Sequence, residues 1–213
     1  MSVELPPGAK GQIESGVSVL KRGGIVAFPT DTVYGLGASA SIPRAVARVY
    51  EVKGRPTNLP LPLLLARISQ IEDVAGAVPP VAWLLAEKFL PGGLTLVLPK
   101  SGSVLDIVTA GGRTVAVRIP AHPVPIALIE GLGAPILGTS ANLTGRPSAL
   151  IAGDVYAQFG DKVDVVVDGG HCPGGRESTI VDVTGEVPVV LREGAVSLGE
   201  LEKVCGDIMS KGA

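Results

Sequence analysis

Short β-branched runs alternate with amphipathic stretches along this chain, and most of the runs end in a hydroxyl, a glycine or a cation. The segments 24–28, 61–66, 94–98, 115–119, 134–137, 163–167, 178–183 and 187–191 read as strands. Between them, 13–22, 43–52, 79–89, 123–131, 152–159 and 198–204 read as helices, several opened by proline or closed by glycine. Pro43 suits a first helical turn and Ser197 an N-cap. Strands alternating with helices predict an α/β domain, and the hairpin-like turn at Gly185-Glu186 predicts a mixed sheet over an all-parallel one. A chain of 213 residues fits a single domain, able to bury about 70% of its unfolded surface without disulfide or metal staples.

The strand ends carry the chemistry. Phe28-Pro29-Thr30-Asp31-Thr32-Val33-Tyr34-Gly35 runs from a buried strand into hydroxyls and glycine. This suits a ligand rich in oxygen, or a turn whose side chains bond their own backbone. Lys53-Gly54-Arg55-Pro56 makes a cationic corner past a helix, fit for phosphate or for offsetting the helix dipole. Thr114-Val115-Ala116-Val117-Arg118 sets an arginine in an otherwise apolar strand. Burying it unpaired would cost several kcal/mol, so it must meet an anion, either an internal carboxylate or a ligand's. Gly138-Thr139-Ser140-Ala141-Asn142 with Arg146-Pro147-Ser148, then Gly174 to Asp182, then Leu191-Arg192-Glu193-Gly194 repeat the theme.

Composition narrows the function. Charge is close to balanced, 18 basic against 20 acidic residues, but residues 44–146 are net positive and residues 147–213 net negative. With no Ser- or Gly-rich linker between them, this predicts one domain with a basic cleft. Two histidines and two cysteines, with His171 beside Cys172 and no Cys-x-x-Cys, do not suit a zinc site. The strand ends show neither a Ser-His-Asp arrangement nor a carboxylate pair, which argues against triad hydrolases, glycosidases and metalloproteases. Neither Gly-x-Gly-x-x-Gly after the first strand nor a P-loop is present. Only seven residues are aromatic, three Phe, three Tyr and one Trp, too few for a surface that stacks bases. What remains is anion binding, with catalysis by positioning and charge stabilisation. The start of the chain does not read as a secretory signal, and the longest apolar run, 59–66, contains two prolines and is too short to span a bilayer. The expected compartment is the cytoplasm, with no membrane contact.

In order along the chain stand Pro29-Thr30-Asp31-Thr32-Val33-Tyr34-Gly35-Leu36, Lys53-Gly54-Arg55-Pro56, Pro91-Gly92-Gly93-Leu94-Thr95, Val117-Arg118-Ile119-Pro120, Ser140-Ala141-Asn142, Glu177-Ser178-Thr179-Ile180 and Leu191-Arg192-Glu193-Gly194. With these blocks the sequence resembles the YrdC/TsaC family of threonylcarbamoyl-adenylate synthases in its short, single-domain form, over about residues 13–201 and without a C-terminal extension domain. The resemblance implies a twisted open α/β sheet with flanking helices and a basic concave cleft. It also implies a reaction in which L-threonine, bicarbonate and ATP give threonylcarbamoyl-adenylate and pyrophosphate, for the threonylcarbamoyladenosine modification of tRNA.

By matching position the resemblance implies that Thr32, Leu64, Arg118, Gly138 and Ser178 hold threonine. It implies that Arg55, Asn58, Thr114, Ser140, Ser148 and Arg192 hold ATP, with Lys53 and Arg55 as the catalytic cations. Leu64 takes the place where many members have a histidine, so contact there is apolar or through backbone. Mg²⁺ is expected to arrive with ATP, and no protein metal site is expected. Expected partners are a downstream threonylcarbamoyl transferase complex and a weak contact with tRNA or double-stranded RNA. Two other readings compete: a nucleic-acid-binding module, and a carbamoyl-transfer domain of the hydrogenase-maturation kind, which shares the fold but sits inside longer chains.

Overall fold

The computed structural model describes residues 8–211. In chain order the elements are α1 (Ala9–Lys21), β1 (Val26–Phe28), β2 (Gly35–Gly37), α2 (Pro43–Lys53), β3 (Leu63–Leu64), α3 (Ile71–Val74), α4 (Pro80–Phe89), β4 (Leu94–Pro99), β5 (Thr114–Arg118), α5 (Pro123–Leu132), β6 (Ile136–Leu137), β7 (Thr139–Ser140), α6 (Ala152–Phe159), β8 (Val165–Val166), β9 (Thr179–Asp182), β10 (Val189–Arg192), α7 (Leu198–Cys205) and β11 (Met209–Ser210). All six predicted helices form. Pro43 opens α2, and Ser197 caps α7 in a reciprocal box with Glu200.

The strands form two mixed sheets, one of seven in the order β11-β10-β9-β4-β5-β3-β6 and one of four in the order β7-β2-β1-β8. The β9–β10 hairpin is antiparallel as expected, while β4 runs parallel to β9 and β3 parallel to β5. Residue 138 passes from β6 in the first sheet to β7 in the second, and a bridge between Ser39 and Ile136 joins the two sheets again.

Three strands, β2, β7 and β11, have no apolar run in the sequence. β2 is Gly35-Leu36-Gly37, a strand because of its neighbours. A side chain on Gly35 would come 2.5 Å from the Phe28 ring, and one on Gly37 would come 2.4 Å from the Leu137 carbonyl. The ring of β1 thus covers the bare backbone of β2, which Cβ atoms would push away. The predicted strands at 61–66 and 163–167 shrink to two residues each, because prolines 60 and 62 and the turn before Val165 interrupt the ladder.

Alternation along the central strands separates core from cleft. Leu94, Leu96 and Leu98 of β4, Val115 and Val117 of β5, and Val181 of β9 are buried in the main hydrophobic cluster. Their alternates, Thr95, Val97, Ala116, Arg118 and Ile180, line a cavity on the other face. The ladder places Val97 opposite Ala116, and Thr95 opposite Ile180, so these residues form one continuous floor.

Candidate active site

The cavity holds about 410 Å³, enough for a small ligand, and is closed laterally by the β1–β2 loop, β7, the 140–145 loop and the end of β10. Of the residues singled out in the sequence, Thr32, Lys53, Arg55, Leu64, Arg118, Gly138, Ser140, Ser178 and Arg192 line it together.

Arg118 ends β5 at one side of the floor and is 8% exposed. Its Nη2 donates to Asp31 Oδ1 at 2.7 Å, its Nη1 to Thr32 Oγ1 at 3.0 Å and its Nε to the Gly92 carbonyl at 2.9 Å. The anion that the sequence demands is therefore, in this structure, the internal carboxylate of Asp31. Burial lowers the Arg118 pKa; Asp31 opposes that shift, and Arg192 is near enough to add to it. A guanidinium has five N–H groups, so two remain for a ligand. Thr32 is held in turn: its N–H donates to Thr30 Oγ1 at 3.0 Å, and Thr30 Oγ1 donates to the Val33 carbonyl at 2.7 Å. Both readings of the Thr30–Thr32 segment thus apply, a self-bonded turn and a cleft wall. Ser178 Oγ lies 2.8 Å from Thr95 Oγ1, both buried.

Gly138 brings the main chain against β3. Its N–H donates to the Pro62 carbonyl at 2.9 Å, and a Cβ there would come 2.2 Å from Leu64 Cγ. Leu64 therefore fills the space a side chain at position 138 would need, and both residues reach the cleft.

The other cations of the cleft gather around Glu177, with Arg192 between them and Arg118. Lys53, the last residue of α2, is 3% exposed. Its ammonium donates to the Ser140 carbonyl at 2.5 Å and to the carbonyl and Oδ1 of Asn142, each at 2.9 Å. All three ammonium protons are used, so Lys53 holds the Ser-Ala-Asn loop and contributes positive charge rather than a free donor. Burial and the neighbouring Arg55 lower its pKa to about 8. Arg55 folds back on the 56–60 turn, with Nε to the Leu59 carbonyl at 3.3 Å and Nη2 to the Pro60 carbonyl at 2.9 Å. Arg192 directs Nε and Nη2 at the Ser178 carbonyl, 3.2 and 2.8 Å, and pairs through Nη1 with Glu177.

Three expected nucleotide contacts stand off the lining. Asn58 is exposed in the 56–59 turn. Thr114 begins β5 on the same alternate as Ala116 and Arg118 but beyond the cavity. Ser148 lies one hydrogen bond behind it, donating to Glu177 Oε1 at 2.9 Å. Conversely, Asp31, Thr95 and Glu177 are functional-site partners that the sequence reading did not select. Each stood inside a quoted block, yet nothing in the chain marks which arginine or hydroxyl it meets.

The remaining candidates separate from the cleft. Cys172 is buried, its thiol pushed up to about 11 by burial, which suits packing and not nucleophilic attack. His122 caps α5 by accepting from the Val124 N–H at 3.2 Å. Among the described residues no three His, Cys, Asp or Glu side chains converge as a metal site, and no helix is long and apolar enough to cross a membrane.

Known proteins resemble the chain in sequence and in fold. The family model of Sua5, YciO and YrdC proteins, described as "Telomere recombination", matches residues 18–194. The threonylcarbamoyl-AMP synthase of Pyrococcus abyssi is 46% identical over 197 residues, covering 92% of this chain and 58% of that protein. That of Bacillus subtilis is 44% identical, covering 92% of this chain and 57% of its own length. The chain thus spans less than two thirds of either relative. The structure of P. abyssi Sua5 complexed with L-threonine superposes with a TM-score of 0.92 at 46% identity, covering 94% of this chain and 59% of that one. A HypF structure in its phosphate- and nucleotide-bound form shares the fold, with a TM-score of 0.76 at 20% identity over 86% of this chain and 29% of that one.

Proposed function

The chain belongs to the Sua5/YciO/YrdC family, and on that premise we propose that it makes threonylcarbamoyl-adenylate from L-threonine, bicarbonate and ATP, releasing pyrophosphate. The observation that carries this reading is the division of one cleft into two ends of different charge. At one end Arg118 is balanced by Asp31. At the other, Lys53, Arg55 and Arg192 face the single carboxylate of Glu177. An amino acid is a zwitterion of no net charge, and ATP carries about four negative charges. Each end suits one of the two.

In this mechanism threonine lies on the Arg118 side, its carboxylate taking the two free guanidinium N–H groups, with Thr32, Gly138 and Ser178 around its amine and hydroxyl. Valine would cover these polar groups with a methyl group and return no hydrogen bond for the water they lose, so the pocket disfavours it. The amine combines with bicarbonate to give a carbamate and water. A carbamate oxygen then attacks the α-phosphorus in line, the bond to the bridging α–β oxygen breaks, and pyrophosphate leaves with that oxygen. Arg55 and Arg192 stabilise the charge that builds on the leaving group, and Lys53 adds its field while keeping the 140–142 loop in place. Adenine would lie on aliphatic surface such as Val97, Ala116, Ile180 and Leu191.

Both acidic side chains in this region are already engaged, Asp31 by Arg118 and the Ala121 N–H, and Glu177 by Arg192 and Ser148. Such groups do not make a cage for a divalent ion, so Mg²⁺ is proposed to enter on the phosphates as part of the substrate. The adenylate would pass to a separate transferase complex acting on tRNA.

Pyrophosphate release from ATP, measured with and without L-threonine and bicarbonate, tests the reading. Release should need both, and release independent of threonine would sink it.

A further inference from the structure

We propose that Glu177 is a built-in counter-anion: its carboxylate holds the place of a phosphoryl group while the cleft is empty and is displaced when the nucleotide enters. The inference rests on the nucleotide reading of the cationic end given above.

Two groups that a phosphate would use in this corner, the Ser148 hydroxyl and the Arg192 guanidinium, are turned onto Glu177. Oε1 accepts from Ser148 Oγ at 2.9 Å, Oε2 pairs with Arg192 Nη1, and Ser140 and the Lys53 charge lie close enough to act on the same carboxyl. Burial alone would push the Glu177 pKa up. Arg192, Ser148, Ser140 and Lys53 together overcome this and hold the carboxyl below its usual range. An anion site made by one hydroxyl and one guanidinium, with the Lys53 charge beside them, is therefore already occupied by a side chain.

A role in orienting Arg192 does not account for this arrangement. Arg192 is aimed independently, since its Nε and Nη2 both donate to the Ser178 carbonyl. The Glu177 main chain is also fixed, its carbonyl accepting from the Ala195 N–H at 2.8 Å. Exchange thus needs only side-chain rotation. What Glu177 adds is one negative charge among three positive ones. Without it the empty cleft would hold Lys53, Arg55 and Arg192 in mutual repulsion, and Arg55 and Arg192 each already lower a neighbouring cation's pKa. With it, an incoming phosphate competes against an internal anion. Departing pyrophosphate is replaced by the returning carboxylate, which favours product release.

Calorimetric titration of inorganic pyrophosphate, and separately of ATP, into the wild type, Glu177→Gln and Glu177→Asp tests this. Removing one competing charge at contact distance should tighten pyrophosphate binding about fivefold or more in Glu177→Gln. The gain should shrink at high salt. Pyrophosphate should also become a stronger product inhibitor of that variant. Glu177→Asp keeps the charge and should stay within roughly twofold of the wild type. Equal or weaker binding by Glu177→Gln, or equal shifts in both variants, would overturn the proposal while leaving the nucleotide reading intact. A wild type that binds neither pyrophosphate nor ATP would remove both.

Discussion

The two ends of the cleft handle buried positive charge in opposite ways. Arg118 has a carboxylate, a hydroxyl and a carbonyl fixed around it, and its charge is cancelled. Among the described residues Lys53 and Arg55 are held by carbonyl, amide and hydroxyl oxygens, which fix direction but cancel no charge. Arg192 alone on that side has a carboxylate partner. A neutral pair recognises geometry, and an uncompensated cluster recognises charge. One cleft can present both because Arg118 reaches it from β5 beside the Asp31 loop, while Lys53 and Arg55 reach it from the end of α2 and the turn that follows.

By this contrast the cations differ in what their loss costs. Arg118→Ala leaves Asp31 partly buried without its partner, and breaking a buried pair in this way costs about 3–5 kcal/mol. Urea unfolding should show that loss, and calorimetry should show threonine binding weakened at least about tenfold, since charge-assisted hydrogen bonds contribute ~1.5–3 kcal/mol each. Arg55→Ala strands no carboxylate. Its stability should stay within about 1 kcal/mol of the wild type, with the loss appearing instead in ATP affinity. Equal destabilisation by both changes would erase the distinction.

The next effect tests shape at the neutral end. Gly138→Ala places a methyl group where Leu64 lies, 2.2 Å from its Cγ, and overpacking of this kind costs about 1–3 kcal/mol. Threonine affinity should fall and ATP affinity hold. Adding Leu64→Ala should recover part of the loss in a double-mutant cycle, and additive effects would show that the two residues do not share the space.

These contrasts were unevenly legible in the chain. The strands of the floor, β4, β5 and β9, announce themselves as β-branched runs, and an arginine within one of them already demands an anion. Its partner was not legible, because Asp31 is 87 residues away from Arg118, and Thr95 is 83 from Ser178. Such pairs are fixed by register between strands, not by local pattern. Lys53 was legible as a cation, but its acceptors are mostly main-chain carbonyls, which every residue carries. β2 and β7 escaped for a related reason: their pairing is imposed by the Phe28 ring and by the crossing at Gly138, while their own residues favour turns. Asn58 could be placed by motif order alone, and the turn it occupies leaves it exposed.

A smaller effect concerns the charge at the Lys53 end of the cleft. With the Lys53 pKa lowered to about 8 by burial and Arg55, raising the pH from 7 to 9 should discharge it and weaken pyrophosphate binding about fivefold, the Coulomb value of one charge near contact in water. Lys53→Met should bind weakly at both pH values and lose this dependence. For stability the sign is reversed. The unfolded lysine keeps its proton to about 10.4 while the folded one releases it near 8, so unfolding free energy should rise with pH across that window. A flat binding profile in the wild type would mean that the Asn142 and Ser140 oxygens keep Lys53 charged.

The smallest expected effect on ligand binding falls on Ser178, which touches both ends. The Ser178 hydroxyl shares a hydrogen bond with Thr95 Oγ1 and takes a long 3.4 Å one from Arg192 Nη2, while the Ser178 carbonyl accepts from Arg192 Nε and Nη2. Ser178→Ala removes the hydroxyl contacts and leaves the two shorter carbonyl ones, because the carbonyl belongs to the main chain. The Thr95 hydroxyl then loses a buried partner, at a cost of about 1–3 kcal/mol, and Thr95→Val added to it should return most of that by removing the stranded group as well. Threonine affinity should fall a few-fold while ATP affinity stays within roughly twofold, since Arg192 remains aimed by a carbonyl that the substitution does not alter. Loss of ATP affinity on the same scale as loss of threonine affinity would mean that the two ends are mechanically coupled through Ser178, and that their different charge balance is not what separates the two ligands.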